Sequence, residues 1–184
     1  MQIEQTPIDG LVILTPARHG DARGFFSESW NKTRMAEAGI DVDFVQDNHS
    51  MSAVQGTLRG LHFQAPPHGQ TKLVRCGRGA LFDVAVDVRN GSATYGDWFG
   101  IELSFENGKQ LLVPEGFLHG FMTLTDDTEI VYKCSDFYSA KADGSVLWSS
   151  CGVKWPLDVE PMLSEKDAVA VPLRDFVSPF GEIS

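Results

Sequence analysis

Short segments of alternating residues constrain the fold of this chain more than any other feature. In the clearest one, between residues 81 and 88, four large apolar side chains recur at every second position: Phe82, Val84, Val86 and Val88. The opposite face of the same segment mixes small or apolar residues with two carboxylates: Leu81, Asp83, Ala85 and Asp87. A period of two is the period of a β-strand, so a strand is predicted here.

Six further segments have the length and composition of strands: Val12–Thr15, Thr71–Cys76, Trp98–Ser104, Gln110–Val113, Gly120–Leu124 and Glu129–Cys134. Asn107-Gly108 separates the third of these from the fourth, and Asn-Gly is a strong turn signal. The sequence therefore predicts a β-hairpin that pairs these two strands.

Helical signals are few. A short helix is predicted over Lys32–Ala38, with Asn31 as its N-cap and Gly39 ending it, and another over Ser164–Ala168 with Ser164 as the cap. Many short strands and few helices predict an all-β fold, either a sandwich or a jelly-roll barrel. Periodicity does not choose between the two.

Bulk properties limit the function classes. The 184 residues contain no linker, repeat or low-complexity segment, which predicts a single domain over 1–184. The three cysteines are widely spaced, and we find neither a signal sequence nor a long apolar run, so we expect a cytoplasmic protein. A formal charge of −10 argues against binding nucleic acid or an anionic membrane. An anionic substrate would need a local cluster of basic side chains.

Two histidines lie among glycine and apolar neighbours, His62 in the segment 56–64 and His119 in the segment 114–121. Histidine exchanges protons near neutral pH, so either suits proton transfer. Each is also explained as a structural histidine bonded to a neighbour. Metal sites in jelly rolls usually need a second histidine two residues after the first, and Gln64 stands there, so metal binding is disfavoured.

Tyr132, residues 163–167 and His49 are interpreted from their local sequence as follows. Tyr132 shares a strand face with Ile130 and Cys134 and is predicted to point into the barrel, either as core packing or as an acid in a polar pocket. Residues 163–167, taken alone, are interpreted as a charged surface turn. His49 is equally well explained as a loop residue bonded to the backbone.

Nine motifs follow one another over nearly the whole chain: GDARGFFSE (20–28), QDNHS (46–50), LRGLHFQ (58–64), KLVRC (72–76), FDVAVDVR (82–89), PEGFLHGF (114–121), VYK (131–133), GSVLW (144–148) and LSEKD (163–167). Each motif alone is weak, but nine in order are highly specific. Together they resemble the dTDP-4-dehydrorhamnose 3,5-epimerases.

The resemblance implies a cupin-type jelly roll that uses no metal or organic cofactor. It implies a homodimer whose N-terminal strands exchange between subunits. The activity implied is inversion of C3 and C5 of dTDP-4-keto-6-deoxyglucose to give dTDP-4-keto-L-rhamnose, in dTDP-L-rhamnose biosynthesis. Relatives that invert only one of these centres share the catalytic residues, so they remain an alternative. A metal-dependent cupin and a non-catalytic sugar-nucleotide binding module are the rivals from other classes.

The resemblance also implies residue roles. His62 is the base and Asp167 its carboxylate partner, Lys72 stabilises the enolate, and Tyr132 returns a proton on the other face of the sugar. The implied substrate-binding residues are Arg23, Glu28, Gln46, Asn48, Arg59, His119, Tyr138, Asp143 and Lys166. Asp143 stands where the family frequently has glutamate, so a longer or water-mediated contact with the ligand is expected.

Overall fold

The regular secondary structure of the computed structural model, which describes residues 1–181, is mainly antiparallel β-strand. The larger sheet has six strands, in the order β1 (Gln2–Gln5), β2 (Val12–Thr15), β10 (Gln110–Val113), β7 (Lys72–Arg78), β12 (Thr128–Cys134) and β5 (Gln46–Ser52). The smaller has five, in the order β13 (Asp143–Ser145), β6 (Leu58–Gln64), β11 (Phe117–Thr123), β8 (Ala80–Asp87) and β9 (Trp98–Ser104). A separate hairpin pairs β3 (His19–Asp21) with β4 (Gly24–Phe26).

The main core lies between the two sheets. Val74, Leu111 and Ile130 of the six-stranded sheet belong to one buried cluster with Leu81 and Ala85 of the five-stranded sheet. Burying apolar surface is the main favourable contribution to folding, and here it fixes the two sheets face to face. The expected all-β jelly-roll sandwich is confirmed.

Both outer sheet faces are covered as well. Helix α1 (Lys32–Glu37) places Met35 against Leu14 and Leu112 on the six-stranded sheet. The segment 146–180 covers the five-stranded sheet and contains α2 (Glu165–Ala168) and a 3₁₀ turn (Leu173–Asp175). Both predicted helices and their Asn31 and Ser164 caps are confirmed. Within residues 1–181, no helix is both long and apolar enough to cross a bilayer.

The predicted hairpin through Asn107-Gly108 is wrong, although the turn itself is present. The strands β9 and β10 on either side of it lie in different sheets, β9 beside β8 and β10 between β2 and β7. All four residues of β10 are buried, because one face, with Leu111, packs in the core between the sheets and the other, with Leu112, packs beneath Met35 of α1. The Asn107 side chain accepts hydrogen bonds from the backbone of Ser104 and Lys109, so the turn leads the chain from one sheet to the other.

Six strands escaped prediction, namely β1, β3, β4, β5, β6 and β13, and two of them, β1 and β5, are polar strands at the edges of the larger sheet. His49 lies in β5 rather than in a loop, and its ring contacts Glu129 on the neighbouring strand β12. In β5, exposed and half-buried residues alternate from Gln46 onward, which is the period of a strand whose two faces are both polar. Polar edge strands lack the apolar alternation that identifies a strand in a sequence.

Candidate active site

A cavity of about 430 Å³ lies between the two sheets near the start of β6. Six of the predicted site residues line it: Arg59, His62, Lys72, His119, Tyr132 and Asp167. A volume of this size is typical of small-molecule sites. The sheets contribute differently, since His62 and His119 come from the five-stranded sheet and Lys72 and Tyr132 from the six-stranded sheet.

His62 and Asp167 form a hydrogen-bonded pair within this cavity. The His62 Nε2 atom lies 2.5 Å from Asp167 Oδ1, and the His62 side chain is 33% exposed while that of Asp167 is 3% exposed. Burial by itself raises the pKa of Asp167, but its hydrogen bonds, above all the one to His62, outweigh this and lower it. An ionised Asp167 accepts the Nε2 proton, which leaves Nδ1 of His62 free to accept a proton from a substrate.

Helix α2 holds Asp167 in place. The Ser164 hydroxyl accepts a hydrogen bond from the Asp167 backbone N–H, and the Gly60 backbone N–H donates to Asp167 Oδ2 over 3.4 Å. The segment 163–167 is therefore part of the site, and its interpretation as a surface turn is wrong.

An irregularity in β6 brings Arg59 and His62 to the same cavity. His62 lies opposite His119 and Arg59 opposite Phe121, so β6 has one residue more than β11 over this stretch. Residues three apart on a regular strand face opposite sides, and an extra residue re-aims one of them. The close approach needs glycine, because a Cβ on Gly60 would lie 2.6 Å from Gly120 Cα and its φ is +129°.

His119 forms a second histidine–carboxylate pair. Its Nε2 lies 3.0 Å from both carboxylate oxygens of Asp83, and the two side chains are 9% and 0% exposed. Asp83 belongs to the next strand, β8. Sequence reasoning missed Asp83 as a site residue, although a carboxylate between Leu81 and Ala85 on a core face is a signal, because a buried charge requires a partner.

Lys72 and Tyr132 lie on adjacent strands of the opposite wall. Burial lowers the pKa of Lys72, partly offset by Cys134, Asp143 and Asp83, and no described carboxylate lies within 4.0 Å of its ammonium group. Burial raises the pKa of Tyr132, while a hydrogen bond from Asn48 acts in the opposite direction. Tyr132 thus points into the cavity as predicted, and it is also packed against the core.

Arg59 is the guanidinium group among the lining residues. Its Nε donates to Ser52 Oγ over 3.2 Å, and its terminal Nη2 donates to the Met51 carbonyl over 3.3 Å. These contacts with β5 hold the planar group at the cavity while leaving other N–H donors free. A guanidinium group suits two-point binding of phosphate oxygens.

Five predicted binding residues form a second group beside the cavity: Gln46, Asn48, Tyr138, Asp143 and Lys166. They are linked by hydrogen bonds, including Gln46 to Asn48 and Lys166 to Asp143. The group adjoins the His62–Asp167 pair, because Lys166 precedes Asp167 and β13 pairs with β6. Their predicted binding role stays a prediction.

Arg23 and Glu28 lie apart from these groups. Arg23 lies in the β3–β4 turn, pairs with Asp21 and is 90% exposed, while Glu28 accepts hydrogen bonds from Arg34 and Asn31. Neither lines the cavity of its own chain. Their role in substrate binding also stays a prediction.

The side chains that could bind a metal ion are not clustered in the described part of the chain. Within the described part of the chain, no group of three or more His, Cys, Asp or Glu side chains is arranged to hold a metal ion. Both cavity histidines use Nε2 for a carboxylate. The residues present therefore do not fit the histidine cluster of a metal-dependent cupin.

Comparisons with known proteins agree with this arrangement. Residues 5–175 match the family model described as dTDP-4-dehydrorhamnose 3,5-epimerase. The enzyme of that name from Salmonella typhimurium is 50% identical over 178 residues, covering 95% of this chain and 96% of that protein.

Two solved structures have folds similar to that of this chain. The epimerase from Legionella pneumophila in complex with dTDP-4-keto-L-rhamnose is 42% identical with a TM-score of 0.94, covering 100% of this chain and 98% of that one. A 3'-monoepimerase from Streptomyces bikiniensis in complex with dTDP-quinovose is 37% identical with a TM-score of 0.87, covering 92% and 86%. The nine motifs, the two-sheet cavity and the match over residues 5–175 agree, and the chain belongs to the dTDP-4-dehydrorhamnose 3,5-epimerase family.

Proposed function

We propose that this protein is a cofactor-independent epimerase that inverts C3 and C5 of dTDP-4-keto-6-deoxyglucose. The product is dTDP-4-keto-L-rhamnose, an intermediate of dTDP-L-rhamnose biosynthesis. One observation carries the proposal: His62 of one sheet, paired with Asp167 of α2, lines the same cavity as Lys72 and Tyr132 of the other sheet. Inversion requires a base and an acid on opposite sides of one carbon, and two facing sheets provide two sides.

His62 acts as the base. A hydrogen on a carbon next to a ketone is acidic because the resulting anion is shared with the carbonyl oxygen. Nδ1 of His62 takes that proton, and Asp167 stabilises the imidazolium that forms. The lowered pKa of Asp167 keeps it ionised at neutral pH, as this role requires.

Lys72 stabilises the negative charge that develops on the C4 oxygen. Its ammonium group is partly withdrawn from water, and a charge interacts more strongly in such surroundings. Because the lysine supplies this positive charge, the reaction requires no metal or organic cofactor. Tyr132 then delivers a proton to the enolate carbon from the opposite wall.

The diphosphate and thymidine groups extend from the cavity over the second group of residues. Arg59 suits the diphosphate, and the exposed ring of Tyr138 suits stacking on the base. Asp143 and Lys166 provide an acceptor and a donor beside it. An acidic protein can in this way bind an anion in one basic region.

A second candidate is a single-centre epimerase, which inverts only C3 or only C5. The similarity to a 3'-monoepimerase at 37% identity favours keeping it. Both candidates use the same base and acid, so only the number of exchanged positions separates them.

Residues 1–184 act as one domain within a homodimer in this proposal. Here β1 pairs with β2 of its own chain at the sheet edge, and β4 carries Phe26, which is 71% exposed. Arg23 and Glu28 lie outside their own cavity, so in a dimer with exchanged N-terminal strands they would approach the cavity of the partner. Light scattering after gel filtration tests the dimer. A reducing, cytoplasmic location accords with the three buried free cysteines.

The reaction is tested by incubating the protein with dTDP-4-keto-6-deoxyglucose in deuterated water. Deuterium at both C3 and C5, with a rhamnose-configured product after reduction at C4, is the expected result. Deuterium at one carbon alone would replace the double epimerase with the single-centre candidate. Exchange at neither carbon, in folded protein that binds dTDP, would contradict both.

A further inference from the structure

The amide side chains of Gln46 and Asn48 form a hydrogen-bonded chain that begins at the backbone of Tyr138 and ends next to Tyr132. The Tyr138 backbone N–H donates to Gln46 Oε1 over 3.0 Å, and Gln46 Nε2 donates to Asn48 Oδ1 over 3.1 Å. Asn48 Nδ2 then donates to Cys134 Sγ over 3.5 Å. Gln46 and Asn48 are both half-buried residues of β5.

The first link sets the direction of the whole chain. A backbone N–H can only donate, so the Gln46 atom that faces Tyr138 must be the oxygen. Gln46 therefore presents its NH₂ group to Asn48, whose side-chain oxygen accepts the hydrogen bond. The NH₂ group of Asn48 is left to face Tyr132 and Cys134 on β12.

Asn48 and Tyr132 are directly opposite each other in the antiparallel pair of β5 and β12. An amide NH₂ has two hydrogens, and the contact with Cys134 uses one of them. Burial raises the pKa of the Tyr132 phenol, and the hydrogen bond from Asn48 lowers it. The strand register therefore places the second N–H of the Asn48 amide beside the side chain of Tyr132.

We propose that Asn48, oriented by Gln46, is a positioning residue that keeps the hydroxyl proton of Tyr132 directed at the substrate. The proposal rests on the acid role assigned to Tyr132 above. With its remaining amide N–H directed at the phenol oxygen of its cross-strand partner Tyr132, Asn48 leaves the hydroxyl hydrogen of Tyr132 free for the cavity. When the O–H bond breaks, the proton forms a C–H bond at the enolate carbon, and the enolate charge passes to the phenolate oxygen, where the Asn48 N–H stabilises it.

This role differs measurably from substrate binding, which is the role that the resemblance implies for Asn48. A residue that only binds substrate changes KM at constant kcat. A donor that stabilises the phenolate acts after binding, so its loss lowers kcat and leaves KM nearly unchanged.

The test uses two variants of unchanged size. Asn48→Asp replaces the donor with a carboxylate oxygen, and the loss of a hydrogen bond to a charged group predicts a kcat about 10- to 100-fold lower. Gln46→Glu lies one step further from Tyr132. The new carboxylate still accepts the hydrogen bond from the Tyr138 N–H, but its second oxygen now requires a donor from Asn48. The Asn48 NH₂ group then turns from Tyr132 towards residue 46, so kcat falls in this variant too. Asp47→Asn, an exposed change of one charge on the same strand, is the control and keeps wild-type kcat.

Deuterium exchange distinguishes a misplaced acid from general damage. In both variants His62 still removes the substrate proton, so exchange without inversion increases relative to inversion. In a Tyr132→Phe background, Asn48→Asp has no further effect on kcat. Melting temperatures by circular dichroism confirm that each variant is folded.

Either level of the proposal can fail separately. If Tyr132→Phe epimerises at the wild-type rate, the acid role itself is wrong. If Tyr132→Phe is slow but Asn48→Asp and Gln46→Glu keep wild-type kcat, or change only KM, the positioning role is wrong and the proposed function stands.

Discussion

Two histidine–aspartate pairs at the cavity differ in exposure and anchoring. His62 and His119 lie opposite each other on β6 and β11, and each uses Nε2 to contact a buried carboxylate. The His62 side chain is 33% exposed, whereas that of His119 is 9% exposed and contacts both oxygens of its carboxylate. Asp167 comes from a short helix near the end of the chain, while Asp83 belongs to the same sheet as its histidine.

These differences suit His62 to proton transfer and His119 to a structural or orienting role. A base needs one open nitrogen and a partner that stabilises its charged form, and His62 has both. A histidine packed on all sides and fixed by two contacts is suited to orient a substrate group or to stabilise the wall. We therefore expect the His62 pair to govern kcat, and the His119 pair to govern stability and binding.

The largest expected effect is that of removing the base. In His62→Ala we expect kcat to fall by roughly 10²- to 10⁴-fold, the usual contribution of a general base. In His119→Ala we expect about a tenfold fall in kcat/KM, mostly through KM, because one neutral hydrogen bond to the substrate is lost. Steady-state kinetics on both variants measure this, and equal losses of kcat would remove the distinction between the pairs.

Changing the partner carboxylates sharpens the comparison. In Asp167→Asn the imidazolium of His62 loses its stabilising charge, and we expect kcat to fall about 10- to 100-fold. In Asp83→Asn the same chemical change should leave kcat within about threefold of wild type, since His119 does not change its charge in the reaction. Rate constants at saturating substrate decide the matter, and a larger loss for Asp83→Asn would reverse the assignment.

Stability should show the opposite order. Asp83 is fully buried, and Asp83→Asn weakens a charge-assisted contact in the core, so we expect a loss of about 2 kcal/mol in the free energy of unfolding. For a domain of this size, that corresponds to a melting temperature roughly 4–8 °C lower. Asp167 lies at the cavity on a short helix, so Asp167→Asn should lower the melting temperature less than Asp83→Asn does. Thermal unfolding of both variants provides the measurement, and a larger loss for Asp167→Asn would contradict it.

The stability of the protein in acid depends on a buried carboxylate outside the cavity. Asp87 also lies on β8, and Arg89, Ser92 and Thr94 donate hydrogen bonds to it, which outweigh its burial and lower its pKa to about 2. A lowered pKa means that the stabilisation is complete above the unfolded-state pKa near 4 and is lost as the pH falls through about 2. Asp87 should thus contribute about 2 kcal/mol that disappears over this window.

Urea unfolding at about pH 6, 4 and 3 measures this contribution in wild type and in Asp87→Asn. The two proteins should differ most at about pH 6 and less at about pH 3. A difference that is independent of pH would show that the ion pair with Arg89 does not carry the effect.

Much of the fold could be predicted from local patterns. The strand around Val84 and Val86 alternates because one face covers the outer apolar layer and the other faces the core. The Asn31 and Ser164 caps identified both helices, because capping depends on residues close in sequence. The partner of β10 could not be predicted, since the Asn107 turn changes sheet rather than reversing within one.

The site was only partly predictable, because its residues meet through long-range contacts. The resemblance proposed His62 with Asp167, which lie 105 positions apart and join through the C-terminal segment. Asp83 was missed because its partner is 36 positions away. The extra residue in β6, which lets Arg59 and His62 face one cavity, follows from the packing of Gly60 against Gly120 and leaves no periodic signal.

The central claim is that a proton leaves on one wall of the cavity and returns from the other. Tyr132→Phe tests it most directly when it is incubated with substrate in deuterated water beside His62→Ala. The account predicts that Tyr132→Phe still exchanges substrate hydrogen for deuterium but inverts slowly, whereas His62→Ala does neither. Inversion by Tyr132→Phe at the wild-type rate would contradict it.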